Sequence, residues 1–317
     1  MKDENTSHGA PTGPQRILIA TDLSDASKQA LEFARHIVPA RANVRIVSVA
    51  ENPRTLIPTG SLPSSVLDKA RDELLRDATD AVKQGYEQLA RGDVQLETDV
   101  IDLAKHRGDV IHALLDCAGR WHADLLIVGA RECYGWLSRW IEGTVSEPLV
   151  QLSHCPILVV PARGENPVDR APGRILFALD GSDLALQALR LGLTLVSPRA
   201  ELRAVYVVDR AAQLVDTVPV DALEGAFIKQ GEQALTAAKA VLEHVGAGRA
   251  TAEVISTAWT RDDVAHAILR EAQKWKADLI VMGTHGRRGI ARWLLGSVAG
   301  RVARATETPL LLVGPPQ

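Results

Sequence analysis

The chain has 317 residues, of which 46% are hydrophobic and 24% are charged, and its formal net charge is −3 at pH 7. This length suits about two domains, and the charge gives no reason to expect a nucleic acid or an anionic membrane as a partner. No apolar run approaches the ~20 residues of a transmembrane helix, and the polar start lacks the apolar core of a signal peptide, so we expect a cytoplasmic protein. The three cysteines and nine histidines form no disulfide framework or ligand cluster, and we predict no structural metal site.

The chain contains two copies of one sequence pattern. The stretch RILIATDLSDASKQAL from Arg16 recurs as RILFALDGSDLALQAL from Arg174, with ten of sixteen positions identical. Later segments keep the same order, down to CPILVVP in the first copy and TPLLLVG in the second. We therefore predict a disordered amino terminus over residues 1–15, a first domain over 16–161, a linker over 162–173 and a second domain over 174–314.

Each copy alternates short apolar runs with longer amphipathic segments, which is typical of βαβ units. In the second copy we predict strands near 174–179, 201–208, 250–256, 278–282 and 309–313, a long helix near 219–246, and a further helix starting near Ser297. The predicted fold class is α/β, with two tandem doubly wound, Rossmann-like parallel sheets of five strands. Ligands of such sheets bind beyond the carboxyl ends of the strands, where the strand order reverses.

In the first copy, the loop after the predicted fourth strand reads GARECYGWLSRWIEGT, from Gly129 to Thr144. Over residues 129–150 two arginines stand against three glutamates. The sequence TVSE that starts at Thr144 is a capping box, in which the Glu147 carboxylate can reach back to the amides at a helix start. Pro148 removes a further N–H from the first turn. We predict that this helix terminus satisfies its own donors.

The matching loop of the second copy reads GTHGRRGIARWLLGS, from Gly283 to Ser297. A glycine after a strand can adopt positive φ and lets a ligand approach the backbone. The following helix start presents amides and a partial positive charge that suit a phosphate, and Ser297 can cap the helix or bind a phosphate oxygen. Residues 283–304 contain arginines at 287, 288, 292, 301 and 304 and no acid. The loop is therefore predicted to bind an anion, and His285 within it can approach a phosphate or serve the turn alone.

These motifs resemble the universal stress protein family, and the resemblance covers nearly the whole chain after residue 15. The family's ATP-binding pattern is G-x2-G-x9-G followed by Ser or Thr, and the second loop matches it without a gap. The resemblance implies an adenine nucleotide alpha hydrolase-like fold, with Asp180 near adenosine, Val207 at the adenine, Met282 beside the ribose and triphosphate, and an amide of Val298 on a phosphate. The predicted ATP-binding residues are Asp180, Val207, Met282, Gly283, Gly286, Arg287, Gly296, Ser297 and Val298.

The first copy departs from this pattern at its phosphate end. It keeps Asp22 and Val49, which correspond to the adenine end. Glu132 stands where the second glycine belongs, and the pair Gly143-Thr144 comes one residue late. We therefore expect the first domain to be degenerate for ATP binding.

The resemblance implies a regulatory protein of the stress response, which binds ATP with Mg²⁺ on the phosphates and acts through nucleotide-dependent conformation or assembly. Because the last strand of relatives pairs antiparallel between two domains, we expect the halves to pack as a pseudo-dimer. We also expect the whole chain to form a homodimer and to have an unidentified protein partner. Two alternatives stay open, namely a slow ATPase or autophosphorylating enzyme and a scaffold that binds no nucleotide. We assign no catalytic residue, since Asp180 is the only obvious carboxylate at the site and the family places it near adenosine.

Overall fold

The computed structural model of the chain describes residues 13–56, 63–106, 108–130, 146–162, 170–210, 220–244, 249–258, 262–286 and 295–315. The strands are β1 Arg16–Ala20, β2 Asn43–Ala50, β3 Gln95–Asp102, β4 Leu125–Ala130, β5 Ile157–Pro161, β6 Arg174–Leu179, β7 Glu201–Val208, β8 Ala250–Ser256, β9 Leu279–Gly283 and β10 Leu310–Val313. The helices are α1 Asp25–Ile37, α2 Pro53–Leu56, α3 Ser64–Leu89, α4 Val110–Trp121, α5 Ser146–Leu152, α6 Asp183–Thr194, α7 Val220–His244, α8 Val264–Trp275 and α9 Ser297–Ala305.

All of these strands belong to one ten-stranded sheet with the order β3-β2-β1-β4-β5-β10-β9-β6-β7-β8. Neighbouring strands within each half are parallel, and β5 pairs antiparallel with β10 so that Leu158 faces Leu311. The predicted α/β fold with two doubly wound parallel sheets is therefore confirmed, and the two halves form the expected pseudo-dimer. The terminal strands are edges only within their own halves, because each supplies the other's missing neighbour.

Helices cover both faces of the sheet, as expected for a parallel sheet. One apolar core holds residues of α1, α3, α6 and α7 packed on the sheet, among them the fully buried Phe33 of α1 and Phe177 of β6. The other core holds residues of α4, α5, α8 and α9, with Leu126 and Leu310 fully buried on the sheet. Burying one such side chain contributes about 1.5–3 kcal/mol to the free energy of folding. Because both faces of the sheet are packed in this way, the ends of its strands are held in fixed positions.

Four helices begin at polar caps directly after strands or loops. Ser24 and Ser182 cap α1 and α6, and Asp109 and Asp263 cap α4 and α8. In each case the side-chain oxygen accepts a hydrogen bond from the amide three residues later. Each cap satisfies a donor that the helix itself leaves without a partner.

The predicted elements of the second copy agree with the structure to within two residues. The cap of α9 is Gly296, and no side-chain hydrogen bond caps this helix, so the prediction that Ser297 could cap it is wrong. Ser297 is already the first helical residue, one position too late for that role. Residues 1–12 of the predicted disordered segment and residues 163–169 of the predicted linker lie outside the described residues. In the described part of the chain, no helix combines the length and apolar character that crossing a membrane requires.

Candidate functional site

A cavity of about 900 Å³ lies at the carboxyl edge of the second half. Its walls come from the ends of β6, β7 and β9 and from α7, α8 and α9. The strand register brings these ends level, with Leu179 beside Tyr206 and Ala178 beside Met282. This is the edge at which the strand order reverses, and the volume lies within the usual range for small-molecule sites.

The structure brings together the residues that the sequence predicts for the site. Met282, one residue before the end of β9, has a buried side chain, and Val207 lies near the end of β7. The described lining contains Asp180, Val207, Met282, Gly283, Gly286, Gly296, Ser297 and Val298. Arg287 lies outside the described residues. Binding of a nucleotide by this group stays a prediction.

Three glycines of the loop lie among the described residues, Gly283, Gly286 and Gly296. Positive φ occurs at Gly108 and Gly181 among the described glycines, so these three do not use the positive φ that glycine permits. A Cβ on Gly296 would lie 2.9 Å from the Thr284 carbonyl oxygen, and one on Gly286 would lie 3.0 Å from Oδ2 of Asp180. Glycine is therefore needed where α9 and the loop after β9 pass close to each other and to Asp180.

The carboxylate of Asp180 is oriented by the turn that follows β6. Its Oδ1 accepts hydrogen bonds from the Ser182 amide at 3.0 Å and from the Ser182 hydroxyl at 2.6 Å. Asp22 makes the same pair of contacts to Ser24 in the first half. The aspartate of each copy is thus held at the carboxyl end of a central strand, and Asp180 lines the cavity.

The loop after β9 holds His285 in a defined orientation. The Thr284 amide donates to the Val313 carbonyl, and the Gly296 amide donates to the Thr284 carbonyl. The Thr284 hydroxyl lies 2.9 Å from Nδ1 of His285. The other ring nitrogen, Nε2, is shielded from solvent and has no hydrogen-bond partner among the described residues. A buried polar atom of this kind is costly, and a ligand in the cavity that His285 lines could satisfy it.

The start of α9 presents backbone donors to the cavity. The first intrahelical hydrogen bond runs from the Gly300 amide to the Gly296 carbonyl. The amides of Ser297 and Val298 therefore precede the hydrogen-bonded part of the helix, and both residues line the cavity. With the partial positive charge of the helix terminus, this edge of the cavity can bind an anion.

Sequence reasoning gave no individual role to two charged residues of the lining that contact each other, Asp263 and Arg301, although Arg301 is one of the five arginines of the predicted anion-binding segment. Their side chains form an ion pair at 2.7 Å between the start of α8 and the first turns of α9. Burial disfavours the ionised form of Asp263, but the amide and ring of His266 and the charge of Arg301 outweigh it, so the pKa of this carboxyl lies below its ordinary value. The one sequence signal for Asp263 is that the first copy has Asp109 at the same place, but this repetition indicates only that both aspartates cap helices.

The loop of the first half that corresponds to residues 283–297 cannot be compared with it. Residues 131–145 lie outside the described residues, as does the side chain of Glu147, so the predicted capping box is untested. Gly129, which ends the corresponding strand with Ala130, has a different reason to be glycine, because its Cβ would lie 2.4 Å from the main-chain carbonyl carbon of Ala26. The packing of α1 against β4 is therefore sufficient to require glycine at this position.

Comparison with known proteins gives consistent results across the chain. The sequence profile of the universal stress protein family matches it twice, over residues 14–161 and 172–314. A universal stress protein of Mycolicibacterium smegmatis is 26% identical over 305 residues, covering 94% of this chain and 97% of that protein. A universal stress protein of Methanocaldococcus jannaschii is 35% identical over 147 residues, covering 45% of this chain and 83% of that protein.

A crystal structure supports the same assignment of fold. The structure of a universal stress protein from Archaeoglobus fulgidus matches with a TM-score of 0.64 and 17% sequence identity, covering 96% of this chain and 98% of that one. At this identity the likeness shows the fold alone. The two-copy match of the profile confirms the family resemblance inferred from the sequence motifs.

Proposed function

The chain belongs to the universal stress protein family, and from this membership we propose that its second half binds ATP in the cavity at the carboxyl edge of β6, β7 and β9. Binding would regulate the protein through its conformation or assembly in the response to stress. One observation carries the proposal. The three glycines and the serine of the motif line the same cavity of about 900 Å³ as Asp180, Val207 and Met282.

The inner wall of the cavity suits a base and a ribose. Phe227 and Tyr206 contribute aromatic surface, and Val207 and Val208 contribute the end of β7. A strand end offers backbone N–H and C=O groups to the edge of a base, while the fixed carboxylate of Asp180 can accept a hydrogen bond from a sugar hydroxyl. This half of the site supports a nucleoside as the ligand.

The outer wall suits the phosphates. The amides at the start of α9 supply donors, Nε2 of His285 donates when the ring proton is on that nitrogen, and Ser297 lines the same edge. An anion there would interact favourably with the helix dipole by about 0.3–1 kcal/mol at an exposed site. Glycine at positions 286 and 296 keeps this edge open to the backbone.

Mg²⁺ would enter with the phosphates and not as a resident metal. Among the described residues no group of three or more His, Cys, Asp or Glu side chains could hold a metal ion. Mg²⁺ is commonly bound through one or two carboxylates together with substrate phosphates. In this cavity Asp180 and Asp263 are already engaged by Ser182 and Arg301, so the ligand itself would supply most of the oxygen atoms.

The test is to identify and count nucleotides on the purified full-length protein. We expect denaturation to release about one adenine nucleotide per chain, and the emptied protein to bind MgATP in a calorimeter. Ser297→Ala should weaken that binding about 10- to 100-fold, because one hydrogen bond to a charged oxygen contributes about 1.5–3 kcal/mol. Thr79→Ala, an exposed hydroxyl on α3 of the other half, is the matched control and should leave affinity unchanged.

Other outcomes would separate the alternatives. Two nucleotides per chain would mean that the first half also binds ATP. Release of ADP with steady accumulation of phosphate would favour a slow ATPase. Failure to bind ATP, ADP, AMP or adenosine would overturn the proposal in favour of a scaffold.

A further inference from the structure

The ion pair between Asp263 and Arg301 joins two helices at the wall of the cavity. Nη1 of Arg301 lies 2.7 Å from Oδ2 of Asp263, and Nε donates to the Ser297 carbonyl at 3.2 Å. Arg301 therefore lies one helical turn after Ser297, on the same side of α9. An anion at the start of α9 would lie within reach of the guanidinium.

Two contacts leave part of the guanidinium available. A guanidinium carries five N–H donors in a planar fork, and the contacts to Ser297 and Asp263 use Nε and Nη1. Within the part of the chain that the structure describes, Nη2 of Arg301 has no hydrogen-bond partner. The two fixed contacts set the plane of the group, so that its remaining edge is pre-organised for a further oxygen atom.

Capping of α8 does not explain the arginine. Asp109 caps α4 of the first half in the same way, with its carboxylate on the amide and ring of His112. The sequence alignment of the two copies places Pro148 where the second half has Arg301. The first cap thus forms with its aspartate side chain 59% exposed, whereas Asp263 is 27% exposed beneath Arg301. A role outside the cap must account for the second-half arginine.

The charge of the cavity indicates what that role is. Asp180, Asp209 and Asp263 contribute three carboxylates to the described lining, and Arg301 is the one arginine or lysine there. A polyphosphate needs cationic partners, since like charges repel it from the carboxylates. Arg301 offsets this repulsion at the edge where the helix amides also converge.

We propose that Arg301 is an anion-binding residue of the cavity, with Asp263 as the residue that positions its guanidinium beside the start of α9. The inference rests on the proposed function for the identity of the nucleotide. It assigns a recognition role for the phosphate chain to a residue outside the glycine motif. The base and ribose would not contact Arg301.

The experiment compares Arg301→Gln and Arg301→Lys with the control Arg190→Gln, at an exposed position of α6 outside the cavity lining. Calorimetry would measure the affinities of MgATP, adenosine and inorganic tripolyphosphate for each full-length variant. We expect Arg301→Gln to weaken MgATP about 10- to 100-fold, as for the loss of a hydrogen bond between charged groups, and to change adenosine by less than about twofold. Arg301→Lys should give an intermediate loss, because it keeps the charge without the fork, and Arg190→Gln should match the parent.

The outcomes separate this inference from the proposed function. Unchanged MgATP affinity in Arg301→Gln would overturn the inference and leave the proposed function standing. Equal losses of MgATP and adenosine affinity would overturn it in favour of a structural role. If the parent protein binds tripolyphosphate through Arg301 but binds no adenine compound, the inference holds and the proposed function fails. If it binds none of the probes, both fail.

Discussion

At the residue scale, Asp102 at the end of β3 shows how a single buried charge is stabilised outside the candidate site. Its side chain is 9% exposed and pairs with Arg71 of α3, while the Ala104 amide donates to Oδ1 at 2.9 Å. The hydrogen bond from Arg71 lowers the pKa of the Asp102 carboxyl against the opposing effect of burial. Because the folded-state pKa is depressed, this pair stabilises the protein above the unfolded pKa of about 3.9, and the effect is lost as pH falls through the folded value.

We therefore expect Asp102→Asn to lower the melting temperature by several degrees near neutral pH. The difference from the parent protein should shrink as pH falls below about 4, because the parent loses the same ion pair when its carboxylate is protonated. Thermal unfolding followed across this pH range checks the prediction. The control is Asp80→Asn at an exposed position of α3, and a constant difference at every pH would contradict the argument.

At the element scale, α7 shows that two glycines of one helix can have opposite effects. A Cβ on Gly231 would lie 2.7 Å from Cδ1 of Tyr206, whose ring forms part of the cavity wall and whose hydroxyl donates to Gln230. A Cβ on Gly225 would meet no atom within 4 Å. The first glycine allows α7 to approach β7, whereas the second only weakens the helix.

Gly225→Ala should stabilise the protein by roughly 0.5–1 kcal/mol, which is the usual gain in helix propensity. Gly231→Ala should instead destabilise it by about 1–3 kcal/mol, because the methyl group must displace the Tyr206 ring. Denaturant unfolding of both variants measures the two signs. Stabilisation by both substitutions would show that Tyr206 moves aside at no cost.

The elements of this fold could be predicted from the sequence more completely than the contacts between them. The internal repeat and the apolar periodicity placed the strands near their observed limits, since both depend on neighbours in the chain. The pair Asp263 and Arg301 lies 38 residues apart on two helices, and no periodicity indicates such a contact. The close approach of Gly296 to Thr284 could not be predicted either, because it depends on how α9 packs against the loop after β9.

At the scale of the whole molecule, the pairing of β5 with β10 makes one sheet out of two repeats. Leu158 and Leu311 face each other there and are both fully buried, and α5 also contacts α9 near this junction. Each half thus completes its sheet only with the other. Unfolding one half would expose the terminal strand of the second, so we expect the two halves to unfold together.

Leu311→Ala should destabilise the chain by about 2–5 kcal/mol through the cavity that it leaves. Hydrogen exchange followed by mass spectrometry should then show faster exchange in β4 of the first half as well as in β9 of the second. Val66→Ala, at an exposed position on α3, is the control. Faster exchange confined to the second half would show that the halves unfold independently.

The antiparallel junction of β5 and β10 bears on how substitutions at the two edges of the sheet are inherited. Since the strands of the two halves run in opposite directions, the carboxyl ends of β1 and β6 face opposite edges of the sheet. In a symmetric pair of separate subunits every substitution appears at both edges. Covalent fusion removes this constraint, so that Pro148 and Arg301 can stand at equivalent places in one molecule. Natural selection can then change the ligand chemistry of one edge while the other keeps only the packing that holds the sheet together.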